Sequence, residues 1–349
     1  MSFSITKNGK PLDKFLYTWD EETRTLSTNE NNLVLDFVNY NNCTFRTGFG
    51  CTFRTGRSCT FSTGHSCTFD TGDGCTFNTG HSCTFNTMGN CIFNTGSDCT
   101  FDTHSNCTFN TGHSCTFKTD FNCSFDTSSK CIFNTGHSCT FVTGYSCTFN
   151  TGSDCVFNSR FNSTFVTGSD CVLVRRDTFE FYDISEVKNL TIAPCGIKGY
   201  VKNGYYYEDN KRQYKAIIAD VILSEIIEHK GNVYKVKNYG ETEITYLVQD
   251  GDVYSHGKTL KEAKEGLIYK LSNRDTSVYK GYTLGTKVSK KEAIQMYRAI
   301  TGACEQGTRM FVESLEKVPK VLTVKKIIDL TEGQYGNDTF RKFFEEVSE

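Results

Sequence analysis

The sequence predicts a parallel β-solenoid with an N-terminal cap, followed by a C-terminal α+β domain, and three observations carry the prediction. An eight-residue repeat runs without insertion from Cys43 to Asp170. Charged side chains are scarce inside it, fourteen in those 128 residues, and ordinary outside it. Two capping-box signals for helix starts follow it, at Thr259 and Ser289. The expected boundaries are 1–42 for the cap, 43–182 for the repeat and its exit strand, and 183–349 for the C-terminal domain.

Residues 1–42 carry Phe15, Leu16, Tyr17 and Trp19, then the apolar run Leu33-Val-Leu-Asp-Phe-Val38 that leads into the first octad. A solenoid end exposes strand edges and apolar rings that must be covered, so this segment is expected to cover one.

Sixteen octads follow the form Cys-Thr-Phe-x-Thr-Gly-x-x. Phe holds the third position in all sixteen, Cys the first in fifteen (Ser163 excepted) and Thr the fifth in fifteen (Ser159 excepted). Alternate side chains of a strand share one face, so Cys, Phe and Thr are expected inside and positions two and four outside. Glycine at the sixth position of eleven octads reads as a turn residue at positive φ, with His104 and Asp120 as tolerable replacements and Met88 and Arg160 as poor ones. A strand of about five residues cannot bury a phenylalanine alone, so the octads are expected to stack in parallel register at ~4.8 Å. Two octads per coil, flattened, and three per coil, triangular, both satisfy the pattern. An antiparallel meander would leave the phenylalanines on one open sheet and is disfavoured.

Beyond residue 183 strands are expected near Ala216–Val221, Val233–Val236 and Ile244–Val248. Helices are expected from Thr259-Leu-Lys-Glu262, from Ser289-Lys-Lys-Glu292, over 323–330 and over 339–347. Strands followed by helices indicate an α+β class.

The octads, with Ile226-Ile-Glu-His-Lys-Gly-Asn-Val-Tyr-Lys235, Thr259-Leu-Lys-Glu-Ala-Lys-Glu-Gly-Leu-Ile-Tyr-Lys-Leu-Ser-Asn-Arg-Asp275 and Ile300-Thr-Gly-Ala-Cys-Glu-Gln-Gly-Thr-Arg309, resemble uncharacterised bacteriophage and prophage proteins. In that group octapeptide repeats precede a C-terminal domain of unknown function. The resemblance implies a phage origin and supplies no catalytic residues to carry over.

Charge and composition narrow the functions. With 38 basic and 40 acidic side chains the net charge is -2, which lacks the footprint of a general nucleic-acid or anionic-membrane binder. Eight Asp against six Lys or Arg in the repeat disfavour DNA mimicry, and Arg46, Asp70 and Lys118 at position four interrupt any flat threonine face for ice. No apolar run approaches the ~20 residues of a membrane span, and the N-terminus has no apolar signal core. The expected location is therefore the cytoplasm of a bacterial host, or the virion, with the 18 cysteines reduced. Cys and His alternate as Cys59…His65 and Cys75…His81, but with Cys inside and His at a corner neither a metal nor a cofactor is expected there.

Chemistry-bearing candidates lie in the C-terminal domain: His256, Arg274, Asp275, Cys304, Glu305, Arg309 and Tyr335, beside glycine-containing loops or helix ends. Cys304 and His256 could form a nucleophile pair; Arg274 and Asp275 read equally as a helix-end ion pair, and Cys304 as a small buried residue. No phosphate loop, metalloprotease pair or nucleophile elbow is present in the sequence. The expected function is an interaction scaffold without defined catalytic activity, a rigid solenoid presenting a C-terminal recognition domain to a host or phage protein. The alternatives are a counter-defence protein that sequesters a host factor or small molecule, and an enzyme of the C-terminal domain.

Overall fold

The computed structural model describes residues 3–272, 274–315 and 318–345. The chain divides into two compact units, Met1–Ile192 and Ala193–Glu349.

The first unit is a parallel β-solenoid of about nine turns. Octads pair at a separation of sixteen residues: Thr44 with Thr60, Phe93 with Phe109, Thr148 with Thr164. One coil is therefore two octads, and alternate octads build two parallel sheets. Ring packing explains the choice. Phe93 stacks on Phe109 of the next coil at 4.8 Å between centroids and meets Phe101 of the opposite sheet edge-on at 5.2 Å. Both arrangements suit aromatic quadrupoles, and a third wall would separate rings that two walls bring into contact.

The repeat thiols from Cys43 to Cys171 are buried and unbridged. The Cys67 N–H donates to Cys83 Sγ at 3.5 Å, and the Cys67 thiol donates to His65 O at 3.5 Å. Burial pushes the outermost thiols of the ladders up, Cys43 to about 12 and Cys171 to about 11.

The corners correct the expected role of glycine. The octad residue at positive φ is the eighth, as at Ser58 (57°), Asp98 (60°) and Lys130 (60°), and not the sixth. Sixth-position glycine answers instead to close approach between coils. A Cβ on Gly80 would lie 2.9 Å from His65 N, and one on Gly96 2.8 Å from His81 N. Those corners are laced by Gly80 N–H donating to Gly64 O and Gly96 N–H to Gly80 O, each at 3.2 Å. Three exceptions, Met88, His104 and Asp120, follow one another down one column, where His104 Nδ1 and Asp120 Oδ2 lie 2.9 Å apart.

Both ends of the rod are covered as a solenoid requires. At the start, strands Thr25–Ser27 and Leu33–Phe37 join the two sheets in parallel, and strand Ser4–Lys7 crosses the second antiparallel. Phe3 and Tyr40 pack on Phe37, which meets Phe45, the first repeat ring. At the other end strand Glu180–Asp183 pairs antiparallel with Val172–Arg175, and Leu190–Ile192 pairs antiparallel with Thr164–Val166. The solenoid unit thus runs to Ile192, beyond the expected boundary at 182. Arg175 occupies an inward position where the octads place threonine; fully buried, it binds Asp177 through Nε and Nη2 at 2.9 and 2.8 Å.

The second unit opens with an antiparallel meander: Tyr200–Lys202, Tyr205–Glu208, Lys211–Ala219, Ile222–Lys230, Val233–Asn238, Ile244–Asp250 and Val253–Gly257. Helices follow: α1 Leu260–Leu271, α2 Lys290–Thr301, α3 Glu305–Ser314, α4 Val324–Leu330 and α5 Asn337–Glu345. Thr259 and Glu262 form the reciprocal capping box, and Ser289 accepts from Glu292 N. The expected end of the last helix at Val347 lies outside the described residues. The sequence reading missed α3, whose N-cap is a cysteine in place of the usual Ser, Thr, Asp or Asn. Val288, Met296, Ile300, Leu322, Phe340 and Phe344 form a core for the helical part. No helix among the described residues is long and apolar enough to cross a membrane.

Candidate active site

A two-residue hairpin joins strands Lys211–Ala219 and Ile222–Lys230, with Ala219 paired to Ile222 and Asp220-Val221 at the tip. Both tip residues have positive φ, 50° and 64°, as a primed hairpin turn demands. Asp tolerates that region; β-branched Val does not, and its presence costs ~1–2 kcal/mol. Strain of this kind is often held at functional sites, and here it aims Asp220 inward.

His256 lies on strand Val253–Gly257, opposite Leu247, and is 2% exposed. Helix α1 presses onto this strand because two glycines open the way. A Cβ on Gly257 would lie 2.3 Å from Ala263 N, and one on Gly266 2.4 Å from Ser255 Oγ. The same helix carries Lys270, whose Nζ lies 2.6 Å from Asp220 Oδ2 and donates to Tyr254 O at 2.6 Å, with the Tyr335 ring centroid 4.1 Å away.

Cys304 caps the N-terminus of α3, and its Sγ accepts the Gly307 N–H at 3.3 Å. A side chain at 307 would crowd the sulfur, since a Cβ there would lie 3.2 Å from it. The ligating atoms of Asp220, His256 and Cys304 all fall within 4.8 Å of one another. Asp220 Oδ2 is 3.7 Å from His256 Nδ1, and both ring nitrogens are buried without a partner at hydrogen-bond distance. An imidazole in that position can exchange a proton with the neighbouring thiol.

The electrostatics favour charge separation. Burial disfavours the thiolate of Cys304, but the adjacent imidazole outweighs it, Asp220 opposes, Lys270 assists, and the thiol is held below its ordinary value. Burial likewise disfavours the imidazolium of His256, yet Asp220 first and Cys304 second raise it above its ordinary value. Asp220 is itself held low, because His256 and Lys270 outweigh its burial. The set is that of a nucleophilic thiol, a base and an orienting carboxylate.

These three residue types could also ligate a cation. The Lys270 ammonium already neutralises Asp220 and would lie against any bound dication, so proton and acyl chemistry fits the set better.

Two cavities adjoin the cluster. One, of about 360 Å³, is lined by Asp220, Cys304 and Gly307 together with Ile222, Leu223, Ile294 and Phe311, among others. The other, of about 390 Å³, is polar and lined by His256, Glu262, Glu265, Arg298, Glu305 and Arg309, among others.

Of the residues singled out in the sequence, the structure brings His256 and Cys304 together and places Tyr335 against Lys270. Arg274 caps two helices: its Nε donates to Ala299 O at 2.8 Å and its Nη1 to Lys270 O at 2.8 Å. Asp275 is exposed, accepts Ser277 N–H at 2.9 Å, and is held low first by the Ser277 side chain and then by this N–H; it does not pair with Arg274. Glu305 is exposed 3.7 Å from Arg298 Nη1, and Arg309 is exposed at the polar cavity. Asp220 and Lys270 went unread. Asp220 is the one charge in Ala216-Ile-Ile-Ala-Asp-Val-Ile-Leu223, and Lys270 falls on the Ala263/Leu267 face of α1; an ionisable group on an apolar stripe is the signal that would have found both.

No family model, curated protein or solved structure matches this chain, so what the site does has to follow from its own chemistry.

Proposed function

We propose that the unit Ala193–Glu349 is a cysteine-dependent acyl-transfer enzyme acting on an ester, thioester or amide, with the solenoid as its rigid scaffold. The observation that carries this reading is Cys304 at the start of α3, its sulfur within 4.8 Å of the buried His256, whose Nδ1 faces Asp220 Oδ2 at 3.7 Å. His256 takes the proton from the Cys304 thiol, and the thiolate adds to the carbonyl carbon. The N-terminal end of α3 supplies positive potential for the oxyanion. Collapse breaks the bond to the leaving group, which receives the proton from His256. Water, giving a proton to His256, then hydrolyses the thioester, and the proton returns to the thiol.

The outward positions of the solenoid vary while its interior does not, which supports a presenting role toward a host or phage protein. The likeness of the octads to bacteriophage and prophage proteins supports a phage setting, in the host cytoplasm or on the virion. Sequestration of a small apolar molecule is the second reading, favoured by the 360 Å³ cavity; it predicts binding without turnover.

The test is to incubate the full-length protein with p-nitrophenyl butanoate and to locate the acyl adduct by mass spectrometry. We expect acylation at Cys304, abolished in Cys304→Ala and reduced in His256→Gln. Undiminished p-nitrophenol release by Cys304→Ala would overturn the assignment.

A further inference from the structure

Resting on the thiol reading above, we infer that the 360 Å³ cavity is an acyl-chain site, so that the group transferred through Cys304 is a medium or long aliphatic acyl chain. Three observations converge. Cys304 and Gly307 both line the cavity, so the residue that carries the nucleophile forms part of its wall. Most of its wall is aliphatic or aromatic, with Ile222, Leu223, Ile294, Phe311, Leu315 and Leu322 among the lining residues. Helix α3, which sets the nucleophile, leaves its apolar residues Met310 and Phe311 half-buried at the cavity instead of sealed in the core.

Size and polarity choose among apolar occupants. At about 30 Å³ for a water-sized group, 360 Å³ takes on the order of a dozen chain atoms. A peptide of that volume would bring amide groups needing partners, while the wall is mainly apolar. An alkyl chain needs none. Its thioester or ester carbonyl would sit at the Cys304 end, and the leaving group would depart on the side of the charged second cavity, lined by Glu262, Arg298 and Arg309. The thiolate forms the C–S bond, the C–O or C–S bond of the substrate breaks, and the leaving alkoxide or thiolate takes the His256 proton; no oxidant or reductant enters.

The experiment uses the full-length protein with p-nitrophenyl acetate, butanoate, octanoate and dodecanoate. We expect kcat/KM for acylation of Cys304 to rise by about fourfold per buried methylene until the cavity is filled. Ile294→Trp, which fills the cavity, should flatten that slope. In a second measurement free of turnover, dodecanoate should slow alkylation of Cys304 by iodoacetamide and acetate should not. Acylation of Cys304 at one rate for all four esters, with no protection by dodecanoate, would overturn the acyl-chain site and leave the thiol nucleophile standing. Failure of Cys304 to react with any ester or with iodoacetamide would overturn both.

Discussion

The Lys270 ammonium lies 2.6 Å from Asp220 Oδ2, with the two side chains 1% and 7% exposed, so the carboxylate that raises His256 is itself neutralised by a buried cation. Removing either partner has a different consequence. Asp220→Asn takes away the leading influence that raises His256 and leaves an unpaired buried ammonium. It should destabilise the unit by about 3–5 kcal/mol, as loss of one partner from a buried pair does. Lys270→Met leaves Asp220 facing His256 and takes from Cys304 a group that holds its thiol low. The alkylation profile of Cys304 should then move to higher pH, and an unmoved profile in Lys270→Met would show that the lysine does not reach the thiol.

The pH dependence of Cys304 follows from signs alone. A thiol held below its ordinary value keeps its thiolate as pH falls past the usual ~8.5 and loses it only beneath the lowered value. His256 is shifted the other way, which favours an imidazolium beside the thiolate. The pH profile for iodoacetamide modification of Cys304 should have its midpoint below ~8.5, while the repeat cysteines stay unmodified until denaturant is added. A midpoint at or above 8.5 would count against the ion pair.

Phe109 rests between Phe93 and Phe125 at 4.8 Å on either side and meets Phe101 and Phe117 edge-on. Phe109→Ala should cost about 3–5 kcal/mol, since neighbouring coils cannot collapse into the gap without breaking register. Asn110→Ala, on the outward face, should be nearly neutral. Thermal melts of the two variants decide, and equal shifts would invert the assignment of faces.

Gly96→Ala and Lys130→Gly test the two corner positions against each other. The first puts a Cβ 2.8 Å from His81 N and should lower the melting temperature. The second relieves a non-glycine residue at φ 60° and should stabilise by ~1 kcal/mol. The reverse order would restore the sixth octad residue as the turn.

Deleting residues 75–122 removes whole coils and should leave a folded protein with the same circular dichroism, because each coil contacts only its neighbours. Deleting residues 75–118 breaks the octad phase and should aggregate. Similar solubility and melting of the two would show that register is not what holds the rod.

The solenoid was legible because its period repeats sixteen times, so that inward Phe and Cys could be read by alternation alone. The number of octads per coil was not, because consecutive octads are nearly identical and only the pairing of Phe93 with Phe109, sixteen residues on, distinguishes two walls from three. Glycine at the sixth position was misread for a related reason: a close approach such as Gly96 to His81 is made with another coil, which local sequence does not display. In the candidate site Cys304 and His256 were visible as polar residues near loops and helix ends. Asp220 was hidden in a run read as one strand, because a turn of Asp-Val lacks the glycine or asparagine that marks a tight hairpin. The juxtaposition itself depends on a hairpin tip, a strand, α1 and α3 meeting, which no single segment encodes.

The sixteen-residue coil also sets how such a rod can lengthen in inheritance. Gaining or losing sixteen codons adds or removes one layer, 4.8 Å by the spacing of its rings, and returns the chain to the same sheet. Gaining eight moves the exit to the opposite sheet, where Val172–Arg175 would meet Thr164–Val166's partners and the strand Glu180–Asp183 would seal the wrong wall. Copy-number variation in this gene should therefore leave survivors in steps of whole coils, with odd octads tolerated only where the closing strands have changed as well.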